Sequence, residues 1–329
     1  YLSDATAMQM LCDMICETSE EVKMAVCEDT LIAVLPGGVL KEVPKKEFVY
    51  NGTKRARRDE KIFADKTIDR VKTIWPFSQS ADKIVISREG TAWHLLAEVS
   101  AEEFLQADEW EECRRALAAG GLMIPCEKDA DSLICGAQNG DIVRLPADKL
   151  CAWQGQRQVV RIGEAPLAAA CFCKATDDIL LISEKGQALR THVSDLYKRV
   201  DIGGGLTKGM RMKTDTDDRL CCCLVYRPKR SLTAVSQQRK LLVLRVDSEE
   251  KAQLRAQGHV GEGVCLVHVE GSDRLAEVLY TDQAVLLLSD SGYAQCRDVS
   301  VLREKGRRAK GIEGMKRGQI IRAVCAKVK

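Results

Sequence analysis

A buried strand, a polar turn ending in glycine and a second strand recur along this chain at one interval, and that periodicity constrains the fold more than any other feature. The pattern reads ILLISEKGQALRTHV from Ile179 to Val193 and AVLLLSDSGYAQCRDV from Ala284 to Val299. Further copies are LIAVLPGGVLKEV (Leu31 to Val43), KIVISREGTAWHL (Lys83 to Leu95) and SLICGAQNGDIVRL (Ser132 to Leu145). A sixth, LTAVSQQRKLLVL (Leu232 to Leu244), carries Arg239 where the others have glycine. The turn markers fall at 38, 90, 140, 186, 239 and 292, so the period is near 50 residues. Glycine suits a hairpin loop closed by a residue of positive φ, where a Cβ costs about 1 kcal/mol. Arg239 therefore predicts a reshaped turn. Asp29, Asp82, Asp131, Asp178 and Asp282, just before the first strands, are expected to tie down the entering turn.

A second motif lies between the hairpins: IDRVKTI from Ile68, DDRLCCCL from Asp217, SDRLAEVL from Ser272 and, more loosely, GQIIRAVC from Gly318. Each is a polar turn followed by an apolar strand. A repeat thus needs three strands, and a fourth is expected in the remaining connector. Units of four strands that bury their faces against one another around an axis make a ring of blades. The reading is all-β: residues 28–329 form six four-stranded blades, at about 28–78, 79–127, 128–175, 176–226, 227–278 and 279–329, after a linker or docking segment at 1–27. Within that segment, DATAMQMLCDMICE (residues 4–17) has the spacing of a short helix capped by Asp4.

Composition narrows the function. The 329 residues are 45% hydrophobic, enough for a sizeable core, and no run of about 18 apolar residues or signal-peptide pattern appears. A start at Tyr1 is expected of a fragment of a longer protein. Fifteen cysteines, without a CxxC pair and mostly in apolar runs such as LCCCLV, read as small reduced hydrophobes in a cytoplasmic protein. The four histidines are scattered, and neither GxSxG nor a phosphate loop occurs, so no catalytic residue, metal or cofactor is nominated.

Net charge is only +2, but its distribution is uneven. Arg303, Lys305, Arg307, Arg308, Lys310, Lys316 and Arg317 are accompanied by two acidic residues, and Lys54, Arg55, Arg57 and Arg58 by none. In a closed ring these last-blade and first-blade segments are neighbours. Arg190, Lys208 and Arg211 extend the arc through the fourth blade, with Lys198, Arg199, Lys213, Arg227, Lys229 and Arg230 nearby. The second-blade connector is acidic instead: Glu98, Glu102, Glu103, Asp108, Glu109, Glu111 and Glu112. Lys and Arg pair with phosphate oxygens, and the lack of interleaved aromatics favours duplex over single strands.

The hairpins from Glu28 to Pro44, Asp177 to Arg190 and Ala284 to Val299, with the Lys-Gly connectors GGGLTKGMRM (Gly203 to Met212) and KGRRAKGIEGMKRG (Lys305 to Gly318), resemble the C-terminal β-pinwheel domain of the A subunit of bacterial type IIA topoisomerases, DNA gyrase and topoisomerase IV. The resemblance implies a six-bladed ring that binds and bends double-stranded DNA on its outer edge. It also implies that the chain is a non-catalytic, nucleoid-associated part of an ATP-dependent enzyme, whose other parts are the remainder of the A subunit, with its cleavage machinery, plus an ATPase subunit. The family's cleaving tyrosine lies in a separate domain, so Tyr50, Tyr197 and Tyr293 are not nominated. Gyrase wrapping depends on a first-blade motif close to QRRGGKG. Here VYNGTKRARRDEK (Val49 to Lys61) keeps the charge without the Gly-Gly-Lys-Gly core, while QGHVGEG and KGRRAKG keep parts of it. Gyrase-type wrapping, topoisomerase IV-type binding without full wrapping, and a blade-ring protein scaffold, with the acidic segment and Trp110 at its interface, all stay open.

Overall fold

The computed structural model describes residues 30–43, 59–77, 83–88, 92–97, 99–127, 129–148, 158–159, 165–196, 206–213, 216–245, 254–258, 260–281 and 283–326. The helical segment expected at residues 4–17 lies outside them. The first repeat supplies hairpin β1 (Thr30–Val34) and β2 (Leu40–Val43), the short β3 (Glu60–Lys61) and β4 (Thr73–Phe77). The second gives β5 (Lys83–Arg88), β6 (Ala92–Ala97), helices α1 (Ala101–Gln106) and α2 (Glu111–Ala118), and β7 (Met123–Pro125). The third gives β8 (Ser132–Ala137), β9 (Asp141–Pro146), β10 (Gln158–Val159) and β11 (Leu167–Cys173). The fourth gives β12 (Asp178–Ser183), β13 (Gln187–His192), β14 (Thr207–Lys208) and β15 (Leu220–Val225). The fifth gives β16 (Leu232–Ser236), β17 (Lys240–Leu244), β18 (Val264–Cys265) and β19 (Leu275–Tyr280). The last gives β20 (Ala284–Ser289), β21 (Tyr293–Asp298), β22 (Ile312–Glu313) and β23 (Ile320–Ala326).

Each short connector strand joins the preceding sheet, not its own. The sheets run β2-β1-β4, β10-β6-β5-β7, β11-β8-β9-β14, β15-β12-β13-β18, β19-β16-β17-β22 and β23-β20-β21-β3. Thus β14 pairs Lys208 with Asp141, β18 pairs Cys265 with Gln187, and β22 pairs Glu313 with Lys240. The first repeat's β3 pairs Lys61 with Tyr293 in the last sheet, which closes the ring. The expected four strands per blade hold for five sheets, whereas the sheet of the first hairpin has three among the described residues. The reason is local: the connector that would supply its fourth strand folds into α1 and α2 instead.

Blade-to-blade contact is periodic. In four blades the inner strand carries one extra residue, a β-bulge, at Ala168, Cys221, Ala276 and Ile321. In the last three of these, the residue before the bulge donates its N–H across to the turn of the preceding blade: Leu220 to Gln138 O (2.9 Å), Leu275 to Glu184 O (2.8 Å) and Ile320 to Gln237 O (2.9 Å). Val71 makes the matching bond to Asp290 O at 2.7 Å. The recurring Asp-Arg-Leu has a concrete task here. Asp218 accepts from Ser183 Oγ (2.7 Å) and Lys185 N (2.9 Å), and Asp273 from Ser236 Oγ (2.5 Å) and Gln238 N (2.9 Å), so each carboxylate fastens the hairpin turn of its own blade.

Apolar clusters fill the space between consecutive sheets; the one uniting Leu31, Ala33 and Val43 with Ala284, Leu286 and Leu288 packs the first sheet on the last. The inner strands surround an axial cavity of about 620 Å³. Arg322 crosses its wall, bonding Glu277 (2.7 Å) and Ile74 O (2.8 Å) and lying 4.2 Å from the centroid of the Trp75 ring, so it links three blades.

The turn markers Gly38, Gly140, Gly186 and Gly292 have φ between 71° and 84°, and each donates to the carbonyl three residues earlier. Arg239 has φ 72° and the same bond to Ser236 O. Its turn is not reshaped: the arginine accepts the left-handed conformation at a cost of about 1 kcal/mol because the surrounding register is fixed on both sides. The aspartate expectation divides. Asp131 does tie a turn, accepting from Ala175 N at 2.8 Å, but Asp178 lies inside β12 and pairs with Arg190 and His192, while Asp177 holds the turn through Lys174 N. Asp29, Asp82 and Asp282 lie outside the described residues.

Candidate nucleic-acid interface

Because the inner strands line the axis, the exchanged strands and their flanking connectors form the outer edge. Their backbones are joined end to end. Met210 donates to Gly140 O at 3.0 Å, Arg211 to Gly261 O at 2.9 Å and Arg308 to Leu266 O at 3.0 Å. Lys316 N donates to the Asp59 carboxylate at 3.0 Å, which brings the first-repeat connector to the last. The strip that results carries exposed Lys208, Arg211, Arg303, Lys305, Arg308, Lys310, Lys316 and Arg317, with Arg307 half-buried beside them. Lys54, Arg55, Arg57 and Arg58 lie outside the described residues, immediately before Asp59; Lys198 and Arg199 are outside them also.

The nominated side chains are not equally available. Arg303, Lys305, Arg308, Arg211 and Lys316 make no side-chain ion pair among the described residues. Lys208 pairs with Asp141 across its strand at 2.8 Å, and Lys310 pairs with Glu270. The Lys310 ammonium hydrogen-bonds and attracts the Glu270 carboxyl, holding it below the usual carboxylate range. Arg190 is committed to contacts within the fold. It grips Asp178 (2.7 Å) and Leu254 O (2.9 Å) and stacks 3.8 Å from the Tyr226 ring centroid. Arg144, its equivalent one blade earlier, is buried and grips Ser132 Oγ and Val193 O, so this recurring arginine is a clip between neighbouring blades.

At the ring closure the structure adds residues that the sequence reading passed over. Arg317 donates to Tyr293 Oη at 2.6 Å and sits 4.8 Å from that ring's centroid, and Lys61 Nζ lies 5.3 Å from the same centroid. Tyr293 thus holds cations of two connectors together. The signal available in the sequence was its position directly after the glycine marker, where the exchanged strand arrives.

The second-repeat connector is the opposite in charge and structure. Ser100 caps α1 by accepting from Glu103 N at 3.1 Å, and Arg114 covers the carbonyls of Phe104 and Ala107 at 2.6 and 2.7 Å. Phe104 is fully buried and stacks on Phe77 with ring centroids 5.5 Å apart, and Cys113, Ala116 and Leu117 bury one face of α2. Burial pushes the Cys113 thiol up to about 12. Glu102, Glu103, Asp108, Glu109, Glu111 and Glu112 stay on the exposed side. Trp110 packs half-buried against this core.

Among the described residues no group of His, Cys, Asp or Glu could hold a metal ion, and no helix is long and apolar enough to cross a membrane. A ring of small antiparallel sheets with strands exchanged between neighbours is a β-pinwheel. The fold is that of the DNA gyrase A C-terminal domain: a solved structure of that domain superposes with a TM-score of 0.69 at 16% identity, over 91% of this chain and 99% of the other. A crystal structure of the C-terminal domain of DNA topoisomerase IV gives a TM-score of 0.57 at 13% identity, over 91% and 93%. In sequence, the gyrase A protein of Mycolicibacterium smegmatis (strain ATCC 700084 / mc(2)155) is 26% identical over 203 residues, 59% of this chain and 23% of that protein's length. No protein-family model matches the chain. The chain resembles the C-terminal domain of type IIA topoisomerase A subunits in fold and in sequence pattern.

Proposed function

We propose that this chain is the DNA-tracking domain of a type IIA topoisomerase A subunit, and that it binds duplex DNA along an arc of its rim. The arc runs over the connectors of the fourth, fifth, sixth and first repeats. The observation that carries the reading is the hydrogen-bonded succession Met210–Arg211, Gly261–Leu266, Arg308–Lys316 and Asp59–Lys61, which sets exposed cations side by side on one edge. A cation track of this kind neutralises phosphates and releases counterions without reading bases. Glycines in the connectors allow close backbone approach, and preference among sequences then comes from bendability. The domain has no catalytic role in this reading; the parent enzyme's remaining A-subunit domains and ATPase subunit supply cleavage and energy.

The arc stops at the first sheet. There the exchanged strand is replaced by helices with an acidic outer face, which repels a duplex. We therefore favour binding with an incomplete wrap, as in the topoisomerase IV-type alternative, over a full gyrase-type turn. Mobility shift of a linear duplex at 50 and 200 mM salt tests the binding. Replacing Arg303, Lys305 and Arg308 with alanine should lower affinity by tenfold or more and reduce the log–log salt slope by about 2.7, at about 0.9 per phosphate. An unchanged thermal midpoint is expected, since these side chains are exposed. Salt-insensitive binding, or none, favours the scaffold reading, and strong writhe in bound minicircles favours complete wrapping.

A further inference from the structure

We infer that Cys171 and Cys223 form an oxidisable thiol pair, a site at which a small peroxide cross-links the third and fourth blades beside the ring axis. The two sulfurs lie 3.1 Å apart although 52 residues separate them in sequence. They sit on β11 and β15, the inner strands of consecutive sheets. A disulfide needs an S–S distance of about 2.0 Å, so closure requires about 1 Å of movement.

The pairing is set by register. On β15, Cys221 is the bulged residue with its Sγ 3.4 Å from Ile182 O, and Cys222 turns to the fifth blade, 3.9 Å from Glu277 Oε1. Cys223 alone of the three meets Cys171. It also borders the axial cavity, whose volume of about 620 Å³ admits a small hydroperoxide. Cys171 keeps its proton: its hydrogen bond with Cys223, and then burial, hold its thiol well above the usual range.

Cys223, unlike Cys171, lines the axial cavity, so a peroxide that enters there meets its sulfur first. The Cys223 sulfur attacks the O–O bond of hydrogen peroxide, giving a sulfenic acid and one water. Cys171 then attacks that sulfenic sulfur; its thiol proton leaves with the displaced hydroxide as a second water, and the S–S bond forms. Two electrons pass from the two thiols to the peroxide.

The test treats the unmodified chain with hydrogen peroxide, blocks remaining thiols and maps peptides without reduction. The expected result is a Cys171–Cys223 linked peptide, two fewer free thiols and a thermal midpoint raised by about 5 °C, all reversed by dithiothreitol. Cys171→Ala and Cys223→Ala should each abolish both the link and the rise; because the mapping uses the unmodified chain, a poorly folding variant does not decide the matter. Oxidation of Cys223 to sulfinic acid without a link, links among other cysteines only, or an unshifted midpoint would overturn the inference. No DNA enters the assay, so its outcome is separate from that of the proposed duplex binding.

Discussion

The connector of the sixth repeat and that of the second occupy equivalent places between hairpin and inner strand, yet one is a basic extended strip and the other a pair of acidic helices. From Lys305 to Arg317 the chain is short of apolar residues and rich in glycine, and it finds its backbone partners on neighbouring blades: Lys305 N on Val243 O, Gly314 N on Arg239 O. From Ala101 to Ala118 it contains helix formers, with Phe104 buried on α1 and Cys113, Ala116 and Leu117 at helical spacing on α2, so its backbone bonds are satisfied internally and its apolar face is buried. The first kind of connector exposes cations on a rim built by strand exchange. The second leaves the exchange undone and covers the gap with carboxylates. One architecture therefore accommodates both the cation strip of the proposed DNA track and an acidic face of opposite charge.

Three measurements would break or sharpen this contrast. The largest effect is expected from Phe104→Ala, which empties a site against Phe77 and should cost about 3–5 kcal/mol of stability, read by urea unfolding; a cost below about 1 kcal/mol would mean the helices merely rest on the ring. Next, Glu102→Lys with Glu109→Lys should tighten duplex binding about tenfold at low salt and lengthen the DNA protected from nuclease, because repulsion at the end of the arc is reversed. Unchanged protection would remove the barrier from the account. The smallest effect is expected of Glu270→Gln, which releases Lys310 from its exposed ion pair and should raise affinity about two- to threefold, lost at high salt.

How far the sequence reaches can be judged from particular residues. The six hairpins were legible because a left-handed turn residue at a fixed interval leaves glycine behind, and Arg239 shows the limit of that inference: tertiary register imposed φ 72° on a residue with a Cβ. The approach of the first-repeat connector to the last followed from ring closure, and Asp59 against Lys316 realises it. Strand exchange was not legible, since two-residue strands such as Thr207–Lys208 carry no periodicity. The helices were hidden by their charge, although Ser100 with Glu103 and the spacing of Cys113, Ala116 and Leu117 contained the signal. Arg190 looked like its exposed neighbours because charge alone does not tell a side chain that grips Asp178 from one that faces solvent.

What the sequence by itself determined is a repeated local unit: alternating strand pairs, turns that need positive φ, and blocks of like charge placed within connectors. Those are properties of nearest neighbours along the chain, governed by backbone sterics and by the period of apolar residues. Only the tertiary structure decided which sheet each connector completes, which cations stay in solvent and which thiols meet at the axis. These depend on contacts between residues some 50 or, at the ring closure, more than 200 positions apart, such as Cys171 with Cys223 and Asp59 with Lys316, and such contacts exist only once the whole ring has closed.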